Sequence, residues 1–175
     1  MNRKMQVQPA RARARAWPVA AAVAVLSATF PATAGNIVEE LKREGRFTTL
    51  LAAIDAAGLT ATAAGCANCT VFAPNDHAFA RFPAPIVAAL LKPRNRGKLA
   101  AILTYHVVGT PIPSTAVPIE PTLVQTLNAS EAKIQAVREG NHVRINGVRV
   151  LEADIQANGS VVHELGDVLW PGELR

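Results

Sequence analysis

Beyond its first thirty-odd residues, the 175-residue sequence has no long apolar run, no block of like charge, no low-complexity tract and no internal repeat. These absences leave no sign of a second domain or of a repeat array. Only two cysteines and four histidines are present. His77, His106, His142 and His163 show neither H-x-x-x-H nor H-E-x-x-H spacing, and Cys66 and Cys69 have no second ligand pair nearby. No structural zinc or other cofactor is therefore expected. Neither His106 nor His163 has a serine or cysteine beside it in a nucleophile-elbow sequence. No catalytic residue is assigned, and the chain reads as a non-enzyme.

What is present begins with the pattern of an export signal. Arg3, Lys4, Arg11, Arg13 and Arg15 precede a Val/Ala/Leu run over residues 19–30, and Ala32-Thr33-Ala34 supplies a small-residue cleavage site. The run, interrupted by Ser27, Thr29 and Pro31, falls short of the ~20 residues that a membrane span needs. Residues 1–34 are expected to be a bacterial-type signal peptide cut before Gly35, leaving a secreted product, periplasmic or extracellular, with no stable membrane insertion. Five of the 18 Lys and Arg lie in residues 1–34 and all 13 Asp and Glu lie beyond them, so residues 35–175 balance 13 against 13. The basic excess belongs to the leader, and no nucleic-acid partner is expected. Residues 35–175 have the size of one domain with its own core.

The first half of that domain has helical periodicity. Asn36 is placed to cap a helix over residues 37–44, with Glu39 and Glu40 in its first turn and Gly45 as its stop. Phe47, Leu50, Leu51 and Ile54 follow the spacing of one buried helix face that ends at Gly58. Thr70-Val71-Phe72-Ala73 reads as a strand stopping at Pro74, after which Asn75 or Asp76 can cap a helix carrying Ala78, Phe79 and Phe82. Residues 86–91 form a short apolar helix ended by Pro93, and Leu99, Ile102 and Leu103 give one face of the next. After Tyr105, Val107-Val108 enters a Pro-rich loop, and from Thr122 apolar residues alternate with polar ones. Asn146-Gly147, flanked by Val143, Ile145, Val148 and Val150, is a two-residue hairpin signal. Residues 160–165 and 167–170 supply the last strand material. The class is α+β, with early helices and a late, mainly antiparallel sheet.

Three segments together resemble the fasciclin-like domain. Thr70-Val71-Phe72-Ala73-Pro74-Asn75-Asp76-His77-Ala78-Phe79 is similar to the family's first signature, and Leu103-Thr104-Tyr105-His106-Val107-Val108 to its tyrosine-histidine motif. Asp154-Ile155-Gln156-Ala157-Asn158-Gly159-Ser160-Val161-Val162-His163, ending at Val168-Leu169-Trp170-Pro171, is similar to its second signature. Gly159-Ser160 holds the place where the family has Asn-Gly, with Asn158-Gly159 one residue early, and Gly166 stands where the family often has Asp. The resemblance implies N-terminal helices packed on a β-sheet wedge over residues 35–175, used for adhesion outside the membrane. Cell-surface or matrix proteins and polysaccharides are the partners so implied; a structural envelope protein that self-associates weakly is an alternative that the resemblance does not supply. It carries binding roles onto Tyr105 and His106, and an integrin-type role onto Asp154 and Ile155. Thr70, Phe72, Pro74, Asn75, Asp76, Phe79, His163 and Pro171 take structural places.

Cys66-Ala67-Asn68-Cys69 stands outside that resemblance. An isolated pair in an exported chain favours a disulfide, which contributes about 2 kcal/mol when so short a loop is closed. The alternative is a thiol-disulfide protein of the envelope. Reactive C-x-x-C thiols are activated at a helix N-terminus, whereas Cys69 runs straight into the strand that starts at Thr70. Asn68, Asn128 and Asn158 open N-x-S/T matches, and Lys92, Arg94, Arg96 and Lys98 form a local basic cluster expected to be a solvated helix start that an acidic polysaccharide could use.

Overall fold

Local signals set the first elements in the computed structural model, which describes residues 35–128, 130 and 132–171. The expected leader over residues 1–34 lies outside them. Helix α1, Ile37–Glu44, starts where the Asn36 side chain accepts the Glu39 N–H at 3.1 Å and stops at Gly45, whose φ of 70° lets the last carbonyls be satisfied. Helix α2, Thr48–Ala56, buries Leu50, Ala53 and Ile54. Phe47 stands one residue ahead of it, fully buried. Helix α3, Thr60–Ala64, buries none of its own residues, and its Thr/Ala sequence carries no apolar stripe to announce it.

Strand β1, Thr70–Pro74, is buried along its whole length and turns at Asn75 into helix α4, Asp76–Ala80. Helix α5, Ala84–Leu90, follows, then a 3-10 turn over Pro93–Asn95, helix α6, Arg96–Tyr105, and strand β2, Val107–Val108. The chain next runs through a Pro-rich strap containing a 3-10 turn, Ser114–Ala116. Strands β3, Thr122–Gln125, β4, Lys133–Glu139, β5, His142–Ile145, β6, Val148–Ala157, and β7, Ser160–Leu165, then follow.

Asn146-Gly147 joins β5 to β6 as expected, with both residues at positive φ. The turn between β6 and β7 lies one residue earlier than the family place held by Gly159-Ser160, while the strand expected over residues 160–165 is present. Asn158 and Gly159, at φ 46° and 80°, form it, and Ala157 pairs with Ser160 across it, so Ser160 is already strand. Positive φ at both central positions matches the right-handed twist of the flanking strands, and Asn-Gly reaches it with the least strain. Residues 167–170 are corrected, because they leave the sheet. Strand β7 is flanked by β1 and β6, so both of its own sides are already paired and the segment that follows it finds no place beside it.

Among the described residues the strand order is β2-β1-β7-β6-β5-β4-β3, with only the β1–β7 pair parallel. One face, through Val71, Ala73, Ile155 and Val162, packs on Ile37, Leu41, Leu50 and Leu103 of the helices. On the other, Phe72, Ile134, Ile145, Val150 and Leu165 enclose Tyr105, Val117 and Leu169. The Leu127 N–H reaches the Val107 carbonyl at 2.8 Å, so the chain leaving β3 meets β2 and the sheet curls into a wedge. The architecture is α+β, with helices on a mainly antiparallel sheet.

Candidate functional site

The two signature histidines sit at the joints of this wedge. His106, the residue after α6, is 3 % exposed. Its Nδ1 lies 2.8 Å from the Ile102 carbonyl, and its Nε2 accepts the Leu169 N–H at 3.0 Å. A ring that donates at Nδ1 and accepts at Nε2 must be neutral. Burial, opposed by the bond to Ile102, pushes the His106 pKa down to about 4. His163, opposite Phe72 in the parallel register and stacked on it at 5.5 Å, has the mirror arrangement. Its Nε2 lies 2.8 Å from the Ile112 carbonyl and its Nδ1 accepts the Asp154 N–H at 3.3 Å. Burial lowers its pKa too, against the bond to Ile112 and the nearby Asp154 carboxylate. Each ring thus ties an irregular segment to a regular element: His106 fastens the closing segment to α6, and His163 fastens the strap to the sheet.

Asp154 and Ile155 are reached next. The β6–β7 register shifts between Glu152 and Ile155, and Asp154 within that bulge has φ 64°. A bulge frees one N–H from the ladder. The His163 ring takes the Asp154 N–H, while the Asp154 carboxylate accepts the Ser114 N–H at 2.8 Å and its hydroxyl at 2.5 Å. Ile155 is buried in the helix-facing core. Tyr105 is 5 % exposed; its hydroxyl donates to the Lys133 carbonyl and accepts from Asn146, the turn residue between β5 and β6. The four residues expected to bind a partner are therefore placed inward or spent on backbone groups, and none offers its side chain freely at the surface.

The structural set is built the same way. The Thr70 hydroxyl donates to the Thr110 carbonyl and accepts the Ile112 N–H, both at 2.7 Å, pinning the strap from β1. The Asn75 side chain accepts the Ala78 N–H at 2.8 Å and donates to Glu164 at 2.6 Å. Asp76 caps a different helix from the one it starts: its carboxylate accepts the Thr49 N–H at 2.7 Å and both the N–H and hydroxyl of Thr48. Burial works to raise its pKa, but the hydrogen bonds from Thr49 and Thr48 outweigh it and hold the carboxyl below its ordinary value. Phe79 packs between α-helical core and closing segment, Pro74 is fully buried, and Pro171 is buried at the end of the described chain.

Sequence reasoning missed several partners. Arg46 meets Glu44, Glu152 and Glu164 at once, tying α1, β6 and β7. Arg96, from the supposed solvated cluster, donates through Nε to the Ala57 carbonyl at 2.8 Å and so closes α2. The Asn128 amide donates to the Ala101 carbonyl and is 5 % exposed, which removes that N-x-S match from the surface. No local pattern marks these, because every partner except Glu44 lies on a distant segment. Cys66 and Cys69 are joined, with Cα atoms 6.1 Å apart. Ser160 holds the loop, accepting the Cys69 N–H and donating to the Cys66 carbonyl. Cys66 follows the C-terminal end of α3, so neither sulfur has the helix N-terminus that activates a thiol.

One broad groove, about 740 Å³, opens between α4 and the β5–β6 hairpin. Asn75, His77, Arg81, Arg149, Leu151 and Asp167 line it. Among the described residues Arg81 makes long contacts, to the Gly166 carbonyl at 3.4 Å and to Asp167 at 3.5 Å, and the Arg149 guanidinium lies against the His142 ring, 3.2 Å away. Two signature residues hold segments that form its walls: Tyr105 is bonded to Asn146 in the hairpin turn, and His106 to Leu169, two residues beyond Asp167. Among the described residues no three His, Cys, Asp or Glu side chains converge as a metal site, and no helix is long and apolar enough to cross a membrane.

A family model described as the Fasciclin domain matches residues 45–171. The Synechocystis protein named sll1483 is 40 % identical over 148 residues, which cover 85 % of this chain and 80 % of that protein. Transforming growth factor-beta-induced protein ig-h3 of Sus scrofa is 36 % identical over 137 residues, 78 % of this chain but only 19 % of that longer protein. The solved FAS1 domain pair from the insect cell adhesion molecule fasciclin I superposes with a TM-score of 0.68 over 79 % of this chain and 52 % of that one, at 12 % identity. That likeness is one of fold.

Proposed function

The chain belongs to the fasciclin domain family, and on that premise we propose that it is an exported, non-enzymatic binding module that attaches to a cell-surface or matrix protein or to a polysaccharide. The observation that carries this reading is the family match across residues 45–171, joined to a fold shared with a domain pair of a cell adhesion molecule. Export rests on the leader pattern of residues 1–34. We assign the contact to the groove lined by Arg81 and Arg149. Two guanidinium groups on opposite walls, neither held in a close ion pair with a carboxylate among the described residues, suit a partner that carries carboxylate or sulfate groups. Tyr105, His106 and Asp154 serve that surface by holding the turn, closing segment and strap in register, and Ile155 anchors the same bulge in the helix-facing core.

Retention on immobilised acidic and neutral polysaccharides and on cell-surface extracts tests both parts. The wild-type protein without residues 1–34 is expected to bind saturably, and the Arg81→Ala/Arg149→Ala variant to bind about tenfold more weakly while keeping its circular dichroism. A folded double variant that binds as well as wild type removes the groove assignment. Absence of saturable retention on every surface, with the protein folded, removes the binding reading itself.

A further inference from the structure

A second concavity has a different chemistry. Between α2, α3, β1 and α6 lies a cavity of about 100 Å³ whose lining is almost wholly apolar. Ile54, Leu59, Val71, Leu103 and Val107 form its walls, and Leu127, itself 52 % exposed, stands at its rim. Thr62, exposed on α3, marks the outer side. The cavity therefore leads from solvent into the helix-facing core.

Protein interiors are close-packed, and voids larger than one water molecule are few. A water inside such a void needs two to four polar partners. Inside the rim marked by Thr62 the polar groups are already committed: the Thr104 hydroxyl donates to the Ala100 and Ala101 carbonyls, both His106 nitrogens are bonded to Ile102 and Leu169, and the Cys66 carbonyl accepts from Ser160. Water has little to hold it there, whereas an apolar guest loses no hydrogen bond on entering. A Leu/Ile/Phe-lined cavity of about 150 Å³ takes benzene. This cavity has two-thirds of that volume and suits a slender chain.

We propose that the cavity between α2, α3, β1 and α6 binds the end of an unbranched acyl chain, with its polar head outside the rim formed by Thr62 and Leu127. No charged side chain lines the cavity, so the chain is recognised and the head group is not. A free fatty acid and the acyl tail of a membrane lipid are the two sources of that chemistry.

Methyl NMR spectra recorded during titration with sodium decanoate test the site, with phosphatidylglycerol vesicles as a second arm. Saturable shifts confined to the methyls of Val71, Leu103, Val107 and Leu127 are expected. Ala63→Leu and Thr104→Leu, each adding bulk at the lining, are expected to weaken binding about tenfold or more while leaving the remaining spectrum folded. Decanoate binding that either filled variant blocks assigns a soluble fatty acid; vesicle binding alone, blocked in the same way, assigns a membrane lipid. The proposal is overturned if neither ligand shifts these methyls saturably, or if both filled variants, correctly folded, bind as tightly as wild type.

Discussion

His106 refuses a proton in the range where an exposed histidine accepts one, and its reason is geometric as well as dielectric. Protonating Nε2 would set an N–H against the Leu169 N–H in a site that is 3 % exposed. Above pH 6.5 the ring is neutral in both folded and unfolded chains, and stability from this group is fully present. Between pH 6.5 and about 4 the unfolded chain takes up a proton that the folded chain does not, so stability falls as pH falls. This one group should remove about 3 kcal/mol between pH 7 and 4. His163 acts in the same direction, and Asp76, whose lowered carboxyl pKa acts only below its ordinary 3.8, adds its loss at lower pH. His106→Gln is expected to be less stable than wild type at pH 7 but to have a shallower decline from pH 7 to 4 in urea unfolding. Equal slopes for the two proteins would refute the neutral, doubly bonded ring.

At the scale of elements, helix ends are where local signals succeed and where they are incomplete. Asn36 and Asn75 cap the helices they precede, α1 and α4, through residues three positions on; Asn36 was legible from the order of side chains, and Asn75 as one of two candidates with Asp76. Helix α2 has no capping side chain of its own, since Phe47 occupies that position. Asp76, 27 residues from Thr49, supplies the acceptor instead. Asp76→Ala should therefore destabilise the domain by about 1–2 kcal/mol, an N-cap cost, although position 76 lies in another helix. Chemical denaturation of the wild type, Asp76→Ala and Asp76→Asn measures it, with asparagine expected to recover part of the loss. A change below about 0.3 kcal/mol in Asp76→Ala would show that α2 does not depend on this carboxylate. Helix α3 and the departure of residues 167–170 from the sheet were not legible, because one has no apolar stripe and the other is apolar for reasons of packing alone.

Across the whole molecule, β7 is the element that every layer shares. All six of its residues are buried, β1 and β6 flank it, and its two faces belong to the two core clusters. Strand β3 is the opposite case, an edge with Leu123 64 % exposed. Amide hydrogen exchange is accordingly expected to be slowest in β7 and its β1 neighbours and fastest, among the strands, in β3; comparable protection in both would count against this hierarchy. The amino-acid sequence by itself determined the α+β class, the family, the capped helices α1 and α4, the β1 strand and the Asn146-Gly147 turn. Those features depend on periodicity, on contacts three or four residues apart and on backbone conformations that few residue types adopt. Tertiary structure alone decided what the signature residues do. Asp154 meets Ser114 40 positions away, His106 meets Leu169 63 positions away, and Arg46 meets Glu152 106 positions away. Such pairings exist only after the sheet has closed on itself, and closure turns residues that looked like a binding motif into the braces of a groove and the wall of a cavity.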